Sequence, residues 1–124
     1  MIAVIFEVLP QPDRREEYFE HATRLRPMLE QIDGFISVER FQSLTHPDKL
    51  LSLSFWRDED AVRRWREHPA HRATQAAGRT GIFTDYRLRV ASVARDYGRF
   101  ERDQAPVGHE PLSQTCPLTP SGLW

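Results

Sequence analysis

The opening segment, Ile2 to Leu9, most constrains how this chain can fold. It reads IAVIFEVL, is rich in β-branched and aromatic residues and ends at Pro10, which predicts a β-strand. Its apolar residues fall on both alternating faces, whereas a strand with one face in water alternates between apolar and polar residues. We therefore expect a central strand in a sheet that is covered on both sides.

A helix is predicted after this strand. Asp13, with Glu16 three residues later, has the spacing of a capping box at its start. Pro27 falls within the helical pattern and is expected to kink or restart the helix, and Gly34 marks its end. The apolar positions recur at helical spacing and predict one buried stripe, formed by Tyr18, Ala22, Leu25, Leu29 and Ile32.

The remaining elements complete a β-α-β-β-α-β order. Periodicity and turn residues predict strands at about 35–43, 49–56 and 83–93, a second helix at about 58–68 and a short helix at about 70–77. This order is typical of the ferredoxin-like α+β fold, a four-stranded antiparallel sheet with the helices on one face. Because the first strand is apolar on both sides, a second copy of the sheet is the simplest cover, which predicts a homodimer.

One domain and a tail are expected within the 124 residues. The periodic pattern covers residues 1–97, a length that supports one hydrophobic core. Residues 98–124 contain four prolines among scattered polar residues without periodicity, which predicts a tail rather than a second domain. We expect this tail to dock on the partner subunit.

Charge and cysteine content exclude several classes of function. The net charge is −1 and basic clusters such as Arg63-Arg64 stand among acids, so no nucleic-acid surface is predicted. Cys116 is the single cysteine, which excludes an internal disulfide. The opening apolar run is too short for a signal-peptide core or a membrane span. A cytoplasmic protein without a nucleic-acid or membrane partner is expected.

The segment from Phe55 to Arg72 has the residue types for chemistry on an aromatic molecule. A strand that ends in aromatic residues leads into a helix that carries Trp65, and a proline break is followed by His71. An indole can stack on a planar substrate, and an imidazole exchanges protons near neutral pH. As a general base, His71 would remove a phenolic proton and leave an anion that can reduce dioxygen. Core packing for Trp65 and a structural hydrogen bond for His71 are the alternatives.

Four further residues are candidates for substrate binding: Glu7, Trp56, Tyr86 and Arg87. Glu7 is a carboxylate on a central strand, which is costly without a partner, and Arg87 or Arg89 on the adjacent fourth strand would supply one. A structural ion pair and an acid that orients the substrate both remain open for Glu7. Trp56 would form core packing or the rim of a pocket, and Tyr86 would face the pocket from strand four.

No metal or cofactor site is expected from the sequence. His68 and His71 are three residues apart, but no third ligand accompanies them at a metal-binding spacing. The chain has no glycine-rich phosphate loop and no serine in a nucleophile-elbow context.

The chain resembles the antibiotic biosynthesis monooxygenase family of dimeric α+β barrels. The resemblance covers about residues 1–97 and rests on the strand IAVIFEV, Gly34-Phe35 after helix one, LSLSFW before helix two, and the spacing from Trp65 to His71. It implies a pocket in each subunit between helices and sheet. Some members oxidise polyketide quinone precursors with oxygen and no cofactor, others degrade haem, and many have no known role.

Two branches of this family differ in what they imply here. The haem-degrading branch has an asparagine on strand one, a helical tryptophan and a histidine ten residues later, which match Glu7, Trp65 and Gln75. Only the tryptophan is kept, and Gln75 offers no axial imidazole. The polyketide-oxidising branch has a tryptophan on helix two and a phenol about six residues later, where Trp65 and His71 stand, while its asparagine one turn earlier is Ala61 here.

We therefore predict a homodimeric, cofactor-independent monooxygenase of a phenolic or quinol-like aromatic small molecule. Trp65 would position the ring and His71 would act as the base. A non-catalytic small-molecule-binding or sensor module of the same fold is the alternative, and a haem-binding or haem-degrading protein is a further one.

Overall fold

A computed structural model describes residues 1–106, apart from the side chains at positions 77, 78 and 80. The chain forms two compact units, Met1–Val93 and Ala94–Trp124. Within the described residues, the regular elements all belong to the first unit. In order these are β1 (Ile2–Pro10), a 3-10 turn (Pro12–Arg14), α1 (Arg15–Leu29), β2 (Phe35–Gln42), β3 (Leu50–Trp56), α2 (Glu59–Glu67), α3 (Pro69–Ala77), an irregular helical turn (Gly78–Ile82) and β4 (Phe83–Ser92).

The four strands form one antiparallel sheet in the order β2-β3-β1-β4. Strand β1 is central, as its apolar composition predicts, with Ile5 opposite Leu53 of β3 on one side and opposite Arg89 of β4 on the other. This is the ferredoxin-like arrangement expected from the β-α-β-β-α-β order.

Alternate residues of β1 face opposite sides of the sheet. Ile2, Val4, Phe6 and Val8 face the helices and belong to the buried clusters or pack against them. Ile5, at an odd position, faces the other side, together with Glu7 and the residues paired with them. We call this second side the open face.

Two clusters of buried side chains hold the helices to the sheet. Burial of large apolar rings is the main source of stability in such a core. One cluster joins β3 to α2 and α1, and the other joins β1 to α1 and the turn before β4. Their buried members are Ile2, Leu29, Val38, Trp56, Ala61 and Trp65 in the first, and Val8, Tyr18, Leu50 and Ile82 in the second.

The starts of α1 and α2 differ in how they are capped. Asp58 caps α2, since its Oδ1 accepts a hydrogen bond from the Ala61 backbone N–H at 2.9 Å. The capping box predicted at Asp13 is wrong, because a 3-10 turn intervenes and α1 begins at Arg15 without a side-chain cap. Pro27 lies in the last turn of α1, which continues to Leu29 without a restart.

Gly34 allows a tight turn between α1 and β2. Its φ is +93°, a left-handed conformation that glycine adopts without strain. A Cβ at this position would lie 2.7 Å from the Cβ of Ala61 on α2. The adjoining Asp33 accepts two hydrogen bonds from the guanidinium of Arg57, at 3.1 and 3.0 Å, just before α2 begins. The turn therefore fixes where α2 starts.

The second unit is described only over residues 94–106, which contain no helix or strand. The predicted tail at 98–124 begins within this part, and its remainder lies outside the described residues. Within the part of the chain that is described, no helix is both long enough and apolar enough to cross a membrane.

Candidate functional site

A cavity of about 460 Å³ lies between the helix-side face of the sheet and the three helices. Residues of all four strands, all three helices and the turn before β4 line it. Its floor includes Val4 and Phe6 of β1. Along the edge strand β4 it is lined by Tyr86, Leu88 and Val90, which are exposed to solvent. The cavity therefore opens along β4, and its wall there is apolar.

Trp65 and His71 meet at the wall of this cavity. Trp65 projects from α2 and is 9% exposed. Its ring centroid lies 4.9 Å from that of His71 on α3 and 5.6 Å from that of His68. Because α2 and α3 are interrupted at Pro69, residues six apart in sequence can present their rings to each other.

The imidazole of His71 has a buried nitrogen without a hydrogen-bond partner. This atom is Nδ1, and the side chain lines the cavity. Burial lowers the pKa of His71, an effect partly offset by a hydrogen bond with the Arg66 backbone and reinforced by the Arg66 charge. The ring is therefore neutral near pH 7 and able to accept a proton.

His68 has a structural role that the sequence did not reveal. It precedes α3, and its Nδ1 accepts a hydrogen bond from the Ala70 backbone N–H at 3.1 Å. This bond satisfies one of the free N–H groups at the start of α3, where Pro69 has none to satisfy. The same ring also packs against Trp65.

Trp56 and Tyr86 both line the cavity but differ in burial. Trp56 is 2% exposed, and its indole N–H donates a hydrogen bond to the Ser54 hydroxyl at 2.9 Å. It is a core residue with one edge on the cavity. Tyr86 is 61% exposed and packs against Phe6 with ring centroids 5.8 Å apart. It lies at the opening.

Glu7 and Arg87 do not reach this cavity. They are paired across β1 and β4 and lie on the open face of the sheet, opposite the helices. Glu7 accepts a hydrogen bond from Arg89 at 2.9 Å and lies 3.5 Å from Lys49. These partners, Arg89 first, lower the pKa of Glu7. The structural ion pair considered for Glu7 is thus present, with Arg89.

Two polar residues at the cavity were missed in the sequence. Arg40 on β2 faces the helices and its buried Nε lacks a hydrogen-bond partner. His21 on α1 also lines the cavity. Arg40 lies two residues after Val38 and so on the same face of β2, but VERFQ has polar residues on both faces and carries no signal for it.

Basic side chains line the cavity and acidic ones do not. The described lining residues include Arg26, Arg40, Arg66 and Arg79, with no aspartate or glutamate. Elsewhere in the described residues, no group of three or more His, Cys, Asp or Glu side chains is placed to hold a metal ion.

A four-stranded sheet with helices on one face and a cavity between them defines the class of ferredoxin-like α+β domains. The family model described as antibiotic biosynthesis monooxygenase matches residues 1–77, more than half of the chain. This chain belongs to the antibiotic biosynthesis monooxygenase family.

Two curated proteins are similar in sequence. One, from Pyricularia oryzae (strain 70-15), is named jasmonate monooxygenase ABM and is 50% identical over 93 residues, which are 75% of this chain and 43% of that protein. The chain thus spans less than half of that relative's length. The other, the uncharacterised protein YqjZ of Bacillus subtilis (strain 168), is 33% identical over 94 residues, 75% of this chain and 79% of that one.

Solved structures share the fold at low sequence identity. A structure ascribed to the same family, from Deinococcus radiodurans, has a TM-score of 0.71 at 13% identity and covers 79% of this chain and 97% of its own. SnoaB, a cofactor-independent oxygenase from Streptomyces nogalater, has a TM-score of 0.66 at 15% identity and covers 77% of this chain and 94% of its own. At these identities the likeness is one of fold.

Proposed function

We propose that this chain is a cofactor-independent monooxygenase that oxidises a phenolic or quinol-like aromatic molecule in the cavity between sheet and helices. The observation that carries the proposal is the imidazole of His71, which lines the cavity in ring contact with Trp65 and whose buried Nδ1 has no hydrogen-bond partner. Membership of the monooxygenase family supports the reaction class.

The cavity suits a flat, mostly apolar substrate. The indole of Trp65 offers a face for ring stacking, and Phe6 and Tyr86 supply further aromatic surface near the opening. A buried planar ring would exclude water from the reacting atoms. Exclusion of water strengthens the electrostatic interactions that stabilise a phenolate.

The reaction balances without a cofactor when the substrate supplies all the electrons. A phenol with a free para position and one dioxygen give a quinone and one water, which is a four-electron oxidation. Neutral His71 accepts the phenolic proton, and the phenolate passes one electron to dioxygen. The two radicals join at the para carbon to form a peroxide, which takes up a proton from the imidazolium. The O–O bond then breaks, the para proton is lost, water leaves and a carbonyl remains.

The charges around the cavity favour the anionic form of the substrate. Arg66 lies close enough to affect the pKa of His71, and no described acidic residue lines the cavity. A phenolate is therefore stabilised by nearby positive charge and repelled by no carboxylate. Glu7, on the open face, takes no part in this scheme.

The test is oxygen uptake with a panel of phenols, naphthols and hydroquinones. We expect turnover with at least one of them, and a loss of about a hundredfold in His71→Ala, the usual contribution of a general base. His46→Ala, in the exposed loop between β2 and β3, is the matched control and should retain wild-type turnover. Equal turnover by wild type and His71→Ala would remove His71 from the mechanism.

A second candidate substrate comes from the relative named jasmonate monooxygenase. Jasmonate belongs in the same oxygen-uptake assay, with and without NADPH. Insertion of one oxygen atom into a C–H bond takes only two electrons from the substrate, so the other two must come from a reductant. Uptake with jasmonate that depends on NADPH would favour this candidate over the phenol.

A binding module or a haem protein would give different results in the same samples. A ligand that raises the melting temperature without oxygen uptake by any substrate would indicate a binding role. A Soret band that saturates on titration with haemin would indicate haem binding. Either result in place of turnover would contradict the proposed reaction.

A further inference from the structure

We propose that the cavity selects aromatic carboxylic acids and that Arg40 binds their carboxylate. This inference rests on the proposed function because it names the class of molecule that the same cavity takes. It is carried by the placement of Arg40, which has no part in the oxygen chemistry above, and by the charges that line the cavity.

Arg40 is an unpaired cation on the β2 side of the cavity. It projects from the edge strand β2 toward the helices, and its Nε is buried without a hydrogen-bond partner. Among the described residues it forms no ion pair. A guanidinium without an ion-pair partner gains free energy when a carboxylate accepts hydrogen bonds from its N–H groups.

The register of the sheet places Arg40 at the polar end of a row of side chains. Arg40 is opposite Ser52 on β3, Ser52 is opposite Phe6 on β1, and Phe6 is opposite Leu88 on β4. All four face the helices and line the cavity. Three inter-strand spacings separate the ends of the row, about 14 Å in all.

This row matches an amphipathic molecule that lies across the strands. Its charged end would meet Arg40 and the hydroxyl of Ser52, and its apolar body would cover Phe6 and reach Leu88 at the opening. A guanidinium binds a carboxylate through two parallel hydrogen bonds, which fixes the orientation of the ligand as well as its charge.

The other charges at the cavity favour the same class of ligand. Arg66 and Arg79 are exposed at its rim, and Arg26 at the rim is already paired with Glu30 at 3.1 Å. Because no described acid lines the cavity, an anion meets only positive charge on its way in. A cationic ligand would meet only repulsion.

The test compares an acid with a neutral molecule of the same shape. We would use the fluorescence of 1-pyrenebutyrate and 1-pyrenebutanol on binding to the full chain, under nitrogen so that no turnover occurs. Wild type should bind the acid about tenfold more tightly than the alcohol or better, as a charged hydrogen bond contributes. In Arg40→Gln this preference should disappear while the affinity for the alcohol stays within about twofold.

Two variants control for charge and for position. Arg40→Lys should keep part of the preference, because it retains the charge but loses the paired geometry. Arg87→Gln removes the same charge from the open face of β4 and should leave both affinities unchanged. A preference lost equally in Arg87→Gln would show that net charge, not Arg40, selects the acid.

The stability of the free protein gives an independent readout. Removal of an unpaired buried donor should leave the melting temperature of Arg40→Gln unchanged or higher. Equal binding of acid and alcohol by wild type, absence of binding by both probes at millimolar concentration, or equal loss of both in Arg40→Gln would each overturn the inference. Because turnover is not measured here, a negative result leaves the oxygen-uptake test intact.

Discussion

Two imidazole rings, those of His68 and His71, pack against the indole of Trp65 and differ in their hydrogen bonding. His68 accepts a hydrogen bond from the Ala70 backbone N–H at the start of α3. Nδ1 of His71 is buried and has no hydrogen-bond partner. Because both rings pack on Trp65, a substitution at either changes the position of the indole. Only the loss of His71 removes a proton acceptor from the cavity.

Burial of His71 makes the stability of the folded chain depend on pH. The pKa of folded His71 is lowered below its ordinary value of 6.5, mainly by burial. His71 therefore binds a proton more weakly in the folded chain than in the unfolded chain. Because of this difference, the free energy of unfolding should fall as the pH drops from about 7.5 to about 5.5. Urea unfolding at the two pH values measures this.

His71→Gln should flatten that pH dependence, because it removes the group responsible. His46→Gln, in an exposed loop, should not. The carboxylates whose pKa values are lowered, such as Glu7, have ordinary values near 4.5 and lose their contribution only at lower pH. An unchanged slope in His71→Gln would mean that another group titrates in this range.

Trp65, His71, Trp56 and Tyr86 could be placed at one site from sequence, but Glu7 and Arg87 could not. Helical phase and the break at Pro69 bring the first pair together, and strand alternation orients the others. Glu7 lies on a strand that is apolar on both faces, so its pattern does not say which face the helices cover. Only the packed structure shows this.

At the scale of elements, the turn at Gly34 positions the helix that carries Trp65. Gly34 lies close to Ala61, which is fully buried. The carbonyl of Gly34 accepts a hydrogen bond from the Arg57 backbone N–H at 2.7 Å. Asp58 caps α2 one residue later. Three contacts thus fix the first turn of α2, and Trp65 follows one turn on.

Gly34→Ala should destabilise the fold by about 2 kcal/mol or more, since it adds both left-handed strain and a clash with Ala61. Gly81→Ala is a matched control, because Gly81 has a similar φ of +100° but its nearest atom would be 3.7 Å away, on the Arg14 side chain. We expect a loss of only about 1 kcal/mol there. Chemical denaturation measures both, and equal losses would show that the contact with Ala61 is unimportant.

The bounds of the elements were predictable to within about two residues, except that α1 ends at Leu29 although its predicted stripe continued to Ile32, and the capping of α1 was not predictable. Asp58 at the start of α2 caps as its residue type favours. Asp13 does not, because Pro12 begins a separate 3-10 turn that displaces the start of α1 to Arg15. The spacing of residue types in a capping box does not predict a 3-10 turn of this kind before a helix.

At the scale of the whole molecule, the open face of the sheet is apolar around one ion-pair cluster. Ile5, Leu51, Leu53 and Phe55 are half-buried there, and the helices pack on the opposite face. The resemblance to dimeric barrels, and the apolar composition of β1 on both sides, favour a second copy of the chain as the cover.

We expect light scattering of the full chain at micromolar concentration to give a dimer. Leu53→Glu, at the centre of the open face beside Ile5, should give a folded monomer, because a carboxylate would be buried without a partner. Leu44→Glu makes the same change at a side chain that is 98% exposed and should remain dimeric. A monomeric wild type would contradict the expected dimer.

The fold was the most predictable property of the chain, because strand order follows from the order and period of its elements. The cavity was expected between helices and sheet, but Arg40 within it was not. In VERFQ polar residues occur on both faces of the strand, so no pattern marks the buried one. Whether Arg40 can contact a ligand depends on the distance of α2 and α3 from β2.

The opening along β4 has a kinetic consequence. Tyr86, Leu88 and Val90 carry no charge and admit neutral molecules and anions alike, whereas Arg40 projects from the opposite edge strand, β2. Arg66 and Arg79 at the rim should speed the association of anions, but most of the difference between competing molecules should lie in residence time. Selectivity would then lie in the faster dissociation of molecules that lack a carboxylate.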